Sequence, residues 1–176
     1  MNFTILNRET VYESRAFSIQ KVELHLPDDR TTTYDLVEHN DSITVVPFDQ
    51  DGNVWFVRQY RLGPQQMLLE LPAGVLETGE PPEEGASREI REEIGQAAGQ
   101  LTPLGDFYLA PGYASEHMYV FLATNLSHAP LDADDDEFIQ LEAIPAEKAM
   151  QMARTGQFKD AKTVASLLLA EKHILK

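Results

Sequence analysis

Three glutamates, Glu89, Glu92 and Glu93, stand in a stretch whose neighbours predict a helix from about Pro82 to Ile94. Proline suits the first turn, Glu83 and Glu84 complement the positive N-terminal end, and Gly95 occupies the place of a C-terminal cap. At about 100° per residue the three carboxylates share one stripe of about 100°, and Ala86, Ile90 and Ile94 form the adjoining apolar stripe. Such a helix buries one stripe and presents the other to a cleft. Like charges at this spacing destabilise a bare helix by about 0.2–0.5 kcal/mol, and a divalent cation reverses that sign. Taken alone, a run of glutamates reads as a solvated helix face, because glutamate is a good helix former. The balance shifts because Gly74 and Glu80 stand at set distances upstream, where a strand over Met67–Leu71 runs into Pro72-Ala73-Gly74. Proline and glycine there end regular pairing and leave backbone carbonyls exposed.

The order Gly74, Glu80, Arg88-Glu89-Ile90, Glu92-Glu93, Gly95 resembles the Nudix box of the Nudix hydrolases. One position departs: Gln96 stands where the pattern asks for an aliphatic residue, which touches the helix end rather than the carboxylate face. The resemblance implies an α+β fold, an α/β/α sandwich around a mixed sheet. It implies Glu89 and Glu93 as principal metal ligands, Glu92 as a supporting one and the carbonyl of Ala73 as another. Gly74, Glu80, Arg88 and Gly95 become the structural part of the box, with an Arg88–Glu80 pair fixing loop to helix. The implied cofactor is Mg²⁺, with Mn²⁺ able to substitute. Mg²⁺ takes near-octahedral oxygen ligands, keeps several waters and bridges carboxylates to substrate phosphates, so it both shields a diphosphate and activates water.

Ala110-Pro111-Gly112-Tyr113-Ala114-Ser115-Glu116 resembles the loop that follows the box in the ADP-ribose pyrophosphatase subgroup, with Pro111 fifteen residues beyond Gln96. Hydrolysis of a phosphoanhydride needs a positioned water, and a carboxylate on a closing loop can take its proton. Glu116 is the candidate base; a box glutamate, Glu92 or Glu93, is the alternative. Leu69-Glu70-Leu71-Pro72-Ala73-Gly74 and Val57-Arg58-Gln59-Tyr60-Arg61 resemble the same subgroup and bring Glu70, Arg58 and Arg61 into the candidate substrate site. Arginine forks suit phosphate oxygens. Arg61, at a strand end, is the better phosphate ligand, and Arg58 reads rather as a strand-face ion pair. Arg15 and Phe17 resemble N-terminal residues that reach the nucleotide, although a core position for Phe17 outweighs a stacking one. Tyr113 either touches substrate or covers the cleft, and His117, like the other histidines, reads as surface or structural.

The remaining elements must position these groups. Residues 3–38 alternate apolar and polar positions around the turn Pro27-Asp28-Asp29-Arg30, which predicts a small antiparallel sheet. Residues 1–40 are expected to form an N-terminal β subdomain for dimerisation and substrate contact, and 41–176 the catalytic domain. About 40 residues bury too little surface to stand alone, so the small sheet is expected to lean on the rest of the chain or on a second copy. Ile43–Phe48 and Val54–Tyr60 flank Asp51-Gly52 and predict a hairpin. Strands are expected near Phe107–Leu109, Met118–Ala123 and Phe138–Leu141, an acidic loop over Asp132–Asp136, and helices over Pro145–Arg154 and Asp160–His173, the second capped by Asp160.

The 176 residues carry 14 Lys and Arg against 29 Asp and Glu, a formal charge of −15, which disfavours nucleic acid and anionic membrane surfaces as partners. An anionic small substrate then needs metal ions as intermediaries. The chain has no cysteine, which excludes disulfides and thiolate chemistry. The N-terminus lacks an apolar signal segment and no apolar run approaches the roughly 18 residues of a membrane span, so a cytoplasmic protein is expected. The combined expectation is a Mg²⁺-dependent, homodimeric hydrolase of nucleoside diphosphate sugars, acting first on ADP-ribose to give AMP and ribose 5-phosphate. GDP-mannose or a UDP-sugar is the alternative substrate, and a non-catalytic ligand-sensing module is the rival class, disfavoured by the intact glutamates.

Overall fold

A computed structural model describes residues 1–132 and 138–175. The expected acidic loop falls, beyond Asp132, outside the described residues. The chain divides into two compact units, one of Met1–Asp41 with Tyr108–His117, the other of Ser42–Phe107 with Met118–Lys176.

The first unit is built on strands β1 (Thr4–Glu13), β2 (Phe17–His25) and β3 (Thr31–His39), paired antiparallel in the order β1-β2-β3. Its apolar content is thin. Phe3, Ile5, Leu6, Val11 and Tyr12 are all exposed, and Val22 is a buried exception. Segment 108–117 is tied to β3 by backbone: Val37 N–H donates to Tyr113 O at 2.8 Å and Ser115 N–H to Val37 O at 3.0 Å. Ser115 Oγ also accepts from His39 N–H at 2.9 Å.

The second unit is a sandwich. Strands β4 (Ser42–Pro47), β5 (Asn53–Arg61), β6 (Gln66–Glu70), β7 (Ala73–Val75), β8 (Gln96–Tyr108), β9 (His117–His128) and β10 (Gln140–Pro145) form two sheets, ordered β7-β4-β9-β8 and β10-β5-β6. The sheet is mixed, because β4 and β9 run parallel while β4 and β7 run antiparallel. Side chains alternate between faces along a strand, and the core divides accordingly. Ile43, Val45, Val57, Phe121 and Ala123 pack with Ala86, Ile90 and Ile94 of α1 (Pro82–Glu93) and its cap. Val46, Val54, Phe56 and Leu122 pack with α2 (Ala146–Arg154) and α3 (Ala161–Ile174). Ile90 is fully buried, worth about 1.5–3 kcal/mol in transfer alone. The sandwich expected from the sequence is therefore present.

The expected hairpin is not. β4 and β5 lie in different sheets and meet through a single bridge, Phe48 with Val54, closed by Asp49 N–H to Asn53 O at 2.9 Å. The reason is burial: all six residues of β4 are buried. A strand buried on both faces takes neighbours on both edges, here β9 and β7, and β5 is free to join β6 and β10. The Asp51-Gly52 turn persists because Asp49 Oδ1 accepts from Asp51 N–H and Asn53 N–H.

Candidate active site

The site grows out of α1 and the strand end that precedes it. Pro81 caps the helix with Pro82 in its first turn, and Ile94 ends it, with Gly95 at φ +67°, the left-handed conformation glycine adopts at little cost. Because the apolar stripe faces the sheet, the adjoining carboxylates are drawn inward as well. Glu89 is 8% and Glu93 6% exposed. Two glutamates so placed on a helix need partners, since an uncompensated buried carboxylate costs several kcal/mol, roughly.

Their surroundings supply them. The N–H of Ala73 donates to Glu93 Oε2 at 3.0 Å. Pairing does not stop at the Pro72-Ala73-Gly74 turn as expected: β7 resumes at once, with Ala73 opposite Thr44 and Gly74 opposite Ile43. The turn is held further by Val45 N–H and Thr44 Oγ1, which both donate to Pro72 O, at 2.9 and 3.1 Å. Gly74 leaves the Glu89 carboxylate its present place. A Cβ built there would lie 1.8 Å from Glu89 Oε1.

Arg88 organises the outer side of the cluster. Its Nε and Nη2 reach the two oxygens of Glu80, each at 3.0 Å, while Nη1 donates to Glu89 Oε1 at 2.7 Å and Glu92 Oε2 at 2.9 Å. Nη2 also meets Val75 O at 3.3 Å. Glu80 in turn accepts from Glu77 N–H at 2.9 Å, which ties the 77–80 loop to the helix. The Arg88 hydrogen bond holds the Glu80 carboxyl below the usual glutamate range, and the same bond leads the causes that raise Arg88.

Glu89 and Glu92 thus converge on Arg88, and among the described residues no three acidic or histidine side chains gather closely enough to hold a metal. The donor chemistry nevertheless suits a hard divalent cation. The groups are carboxylate and backbone oxygens, and Gly74 keeps a side chain out of the space beside Glu89.

A second charged cluster lies at the end of β6. Glu70, 1% exposed, accepts from Arg61 Nε at 2.9 Å and Nη2 at 2.8 Å, and also from Lys162 Nζ. Burial pushes the Glu70 carboxyl up, but the Arg61 fork and Lys162 outweigh it and hold it below its ordinary value. Lys162 also bonds Asp160 Oδ2 at 2.8 Å, and Asp160 caps α3 by accepting from Thr163 N–H at 3.0 Å, as expected of that residue. Thr163 Oγ1 accepts from Leu71 N–H at 2.9 Å, so the first turn of α3 grips two consecutive residues at the end of β6. Sequence reasoning missed Lys162. A lysine in a helix's first turn opposes the macrodipole, and that misfit was the available signal.

The other candidates fall as follows. Arg58 pairs with Glu142 across β5 and β10 at 2.8 Å. In the first unit, Arg15 lies exposed in the turn that Ser14 closes onto Phe17. Phe17 is 38% exposed with its ring centroid 6.2 Å from that of Tyr12, which corrects the core reading: the small sheet leaves most of its large apolar side chains exposed and has little core to offer it. Pro111 and Tyr113 are exposed, Glu116 is half-buried and accepts from Leu109 N–H through its carbonyl at 3.3 Å, and His117 lies against Tyr108 with centroids 4.8 Å apart.

The NUDIX domain family matches residues 38–167. The chain is 32% identical over 162 residues to an ADP-ribose pyrophosphatase of Bacillus subtilis, covering 91% of this chain and 88% of that protein. It is 30% identical over 164 residues to a methanol dehydrogenase activator of Bacillus methanolicus, covering 92% and 89%. A solved ADP compounds hydrolase superposes with a TM-score of 0.88 at 30% identity, over 99% of this chain and 95% of that one. Members of the family generally use divalent metal ions. With Glu89 and Glu93 buried beside the first residues of β7 and the family match spanning residues 38–167, the chain belongs to the NUDIX domain family.

Proposed function

We propose that this chain hydrolyses the diphosphate of a nucleoside diphosphate sugar, with ADP-ribose the preferred substrate and AMP and ribose 5-phosphate the products. The observation that carries this reading is the pair of buried carboxylates, Glu89 and Glu93, set against β7, whose Gly74 leaves Glu89 room. The likeness to a protein named ADP-ribose pyrophosphatase supports the choice of substrate.

Glu89, Glu93, Glu92 and the Ala73 carbonyl would hold Mg²⁺, or Mn²⁺ in its place. Bound there, the cation offsets diphosphate charge and lowers the pKa of water. Ala73 N–H fixes the Glu93 carboxylate. Arg88 and Glu80 hold the 77–80 loop and steer Glu89 and Glu92. Arg61 offers a guanidinium to a substrate phosphate, its fork onto Glu70 using Nε and Nη2. Glu116 takes the proton of the attacking water, and Arg15, Phe17 and Pro111 contact the nucleotide.

The enzyme acts as a homodimer in which residues 3–38 contribute to the partner's substrate site. The apolar side chains left exposed on β1 support this association. A cytoplasmic location accords with a cysteine-free chain, and no described helix is long and apolar enough to cross a membrane. Assay of ADP-ribose, GDP-mannose, UDP-glucose and dGTP with Mg²⁺, with products identified, tests the function; a clear preference for dGTP would overturn the substrate class.

A further inference from the structure

Glu70, Arg61, Lys162 and Asp160 form a closed charge set: two carboxylates, one guanidinium and one ammonium, summing to zero. Lys162 is the unexpected member. It is 6% exposed and sits in the first turn of α3, where the helix dipole disfavours a cation. Burying a lysine there is costly unless its charge is needed locally.

The need is visible at Glu70. Oε2 of that carboxylate is shared between Arg61 Nη2 and Lys162 Nζ. Without Lys162, the set would carry a net −1, and Arg61 would be the sole cation at Glu70. Arg61 also feels the charges of Glu93 and Asp160, so the set is electrostatically continuous with the box helix. An anionic diphosphate approaching Arg61 would then meet a set of net negative charge.

We propose that Lys162 is a positioning residue for Arg61: by sharing Glu70 and offsetting Asp160 it keeps the set neutral, which leaves Arg61 able to receive a phosphate of the substrate. This rests on the substrate reading above. It assigns α3, whose sequence carries no box residue, a part in substrate affinity.

The test is a steady-state comparison on ADP-ribose with Mg²⁺. Lys162→Met should raise KM about tenfold, equivalent to about 1.4 kcal/mol, with kcat within about twofold of wild type. Lys162→Arg should stay near wild type. Asp160→Asn in the Lys162→Met background should recover most of the lost affinity, because it restores neutrality while asparagine still caps the helix. A purely structural role for Lys162 predicts no such recovery. A folded Lys162→Met protein with wild-type KM, or a double variant no better than the single, would overturn the proposal. Charge sharing is also read without turnover: Lys162→Met should lower the denaturant midpoint, and by less when Glu70 is already Gln. An equal drop in both backgrounds would overturn the sharing, whereas failure of the wild type to hydrolyse any of the assayed compounds would overturn the substrate reading alone.

Discussion

Glu93 Oε2 accepts a hydrogen bond from the backbone N–H of Ala73 at 3.0 Å, so the last turn of α1 is tied to the first residue of β7. Helix and strand end are thereby locked in register across twenty residues of sequence. Glu93→Gln should keep the Ala73 contact, since an amide oxygen also accepts, yet remove the charge. Most turnover should be lost while the circular dichroism spectrum is unchanged. Wild-type activity at modest Mg²⁺ would take Glu93 out of the metal site.

Gly74→Ala introduces a Cβ 1.8 Å from Glu89 Oε1, into the space its carboxylate occupies. Overpacking of this kind costs about 1–3 kcal/mol. Glu89 should swing away, and the Mg²⁺ concentration for half-maximal rate should rise more than the unfolding midpoint falls. Equal activity profiles for variant and wild type would show that the glycine serves only the backbone.

Much of this local arrangement was legible in the sequence. Pro82, the acidic first turn and Gly95 bounded α1 correctly, and the Ala86, Ile90, Ile94 stripe is the one that is buried. Local capping chemistry decides such features, so a local reading finds them. The β4–β5 pairing was misread because the turn signal at Asp51-Gly52 is local whereas the partner of a fully buried strand is chosen by distant β9. β8 was read only at its end because Gly99, Pro103 and Gly105 interrupt the apolar alternation across its length. Lys162 escaped because its partner Glu70 lies 92 residues away.

Acid should weaken the fold through Glu80 and Glu70. Both have folded-state pKa values depressed below the ordinary 4.5, Glu80 chiefly by the Arg88 hydrogen bond, Glu70 by Arg61 and Lys162 against the opposing effect of burial. The unfolded chain then binds protons first as pH falls. Their contribution is fully present above about pH 4.5 and is lost as pH drops through the lower folded values. Denaturant midpoints measured from pH 6 to 3 should decline in that window, and Glu80→Gln should flatten part of the decline. An unchanged slope in that variant would remove the Arg88–Glu80 pair as a contributor.

Glu116→Gln should depress kcat on the order of 10²-fold or more if Glu116 is the base, with the metal dependence of the residual rate unchanged. An unaltered rate would return the role to Glu92 or Glu93.

Sedimentation at micromolar concentration should give a dimer, and charged substitutions at Ile5 and Val11, both exposed on β1, should weaken it. A fully active monomer would contradict the proposed assembly.

The most direct measurement is hydrolysis of ADP-ribose in competition with GDP-mannose, UDP-glucose and dGTP under Mg²⁺, with products resolved. The expected result is AMP and ribose 5-phosphate, a higher kcat/KM for ADP-ribose than for any triphosphate, and loss of the reaction on chelation. Preferential cleavage of dGTP, or no metal-dependent turnover of any nucleoside diphosphate sugar, would contradict the account.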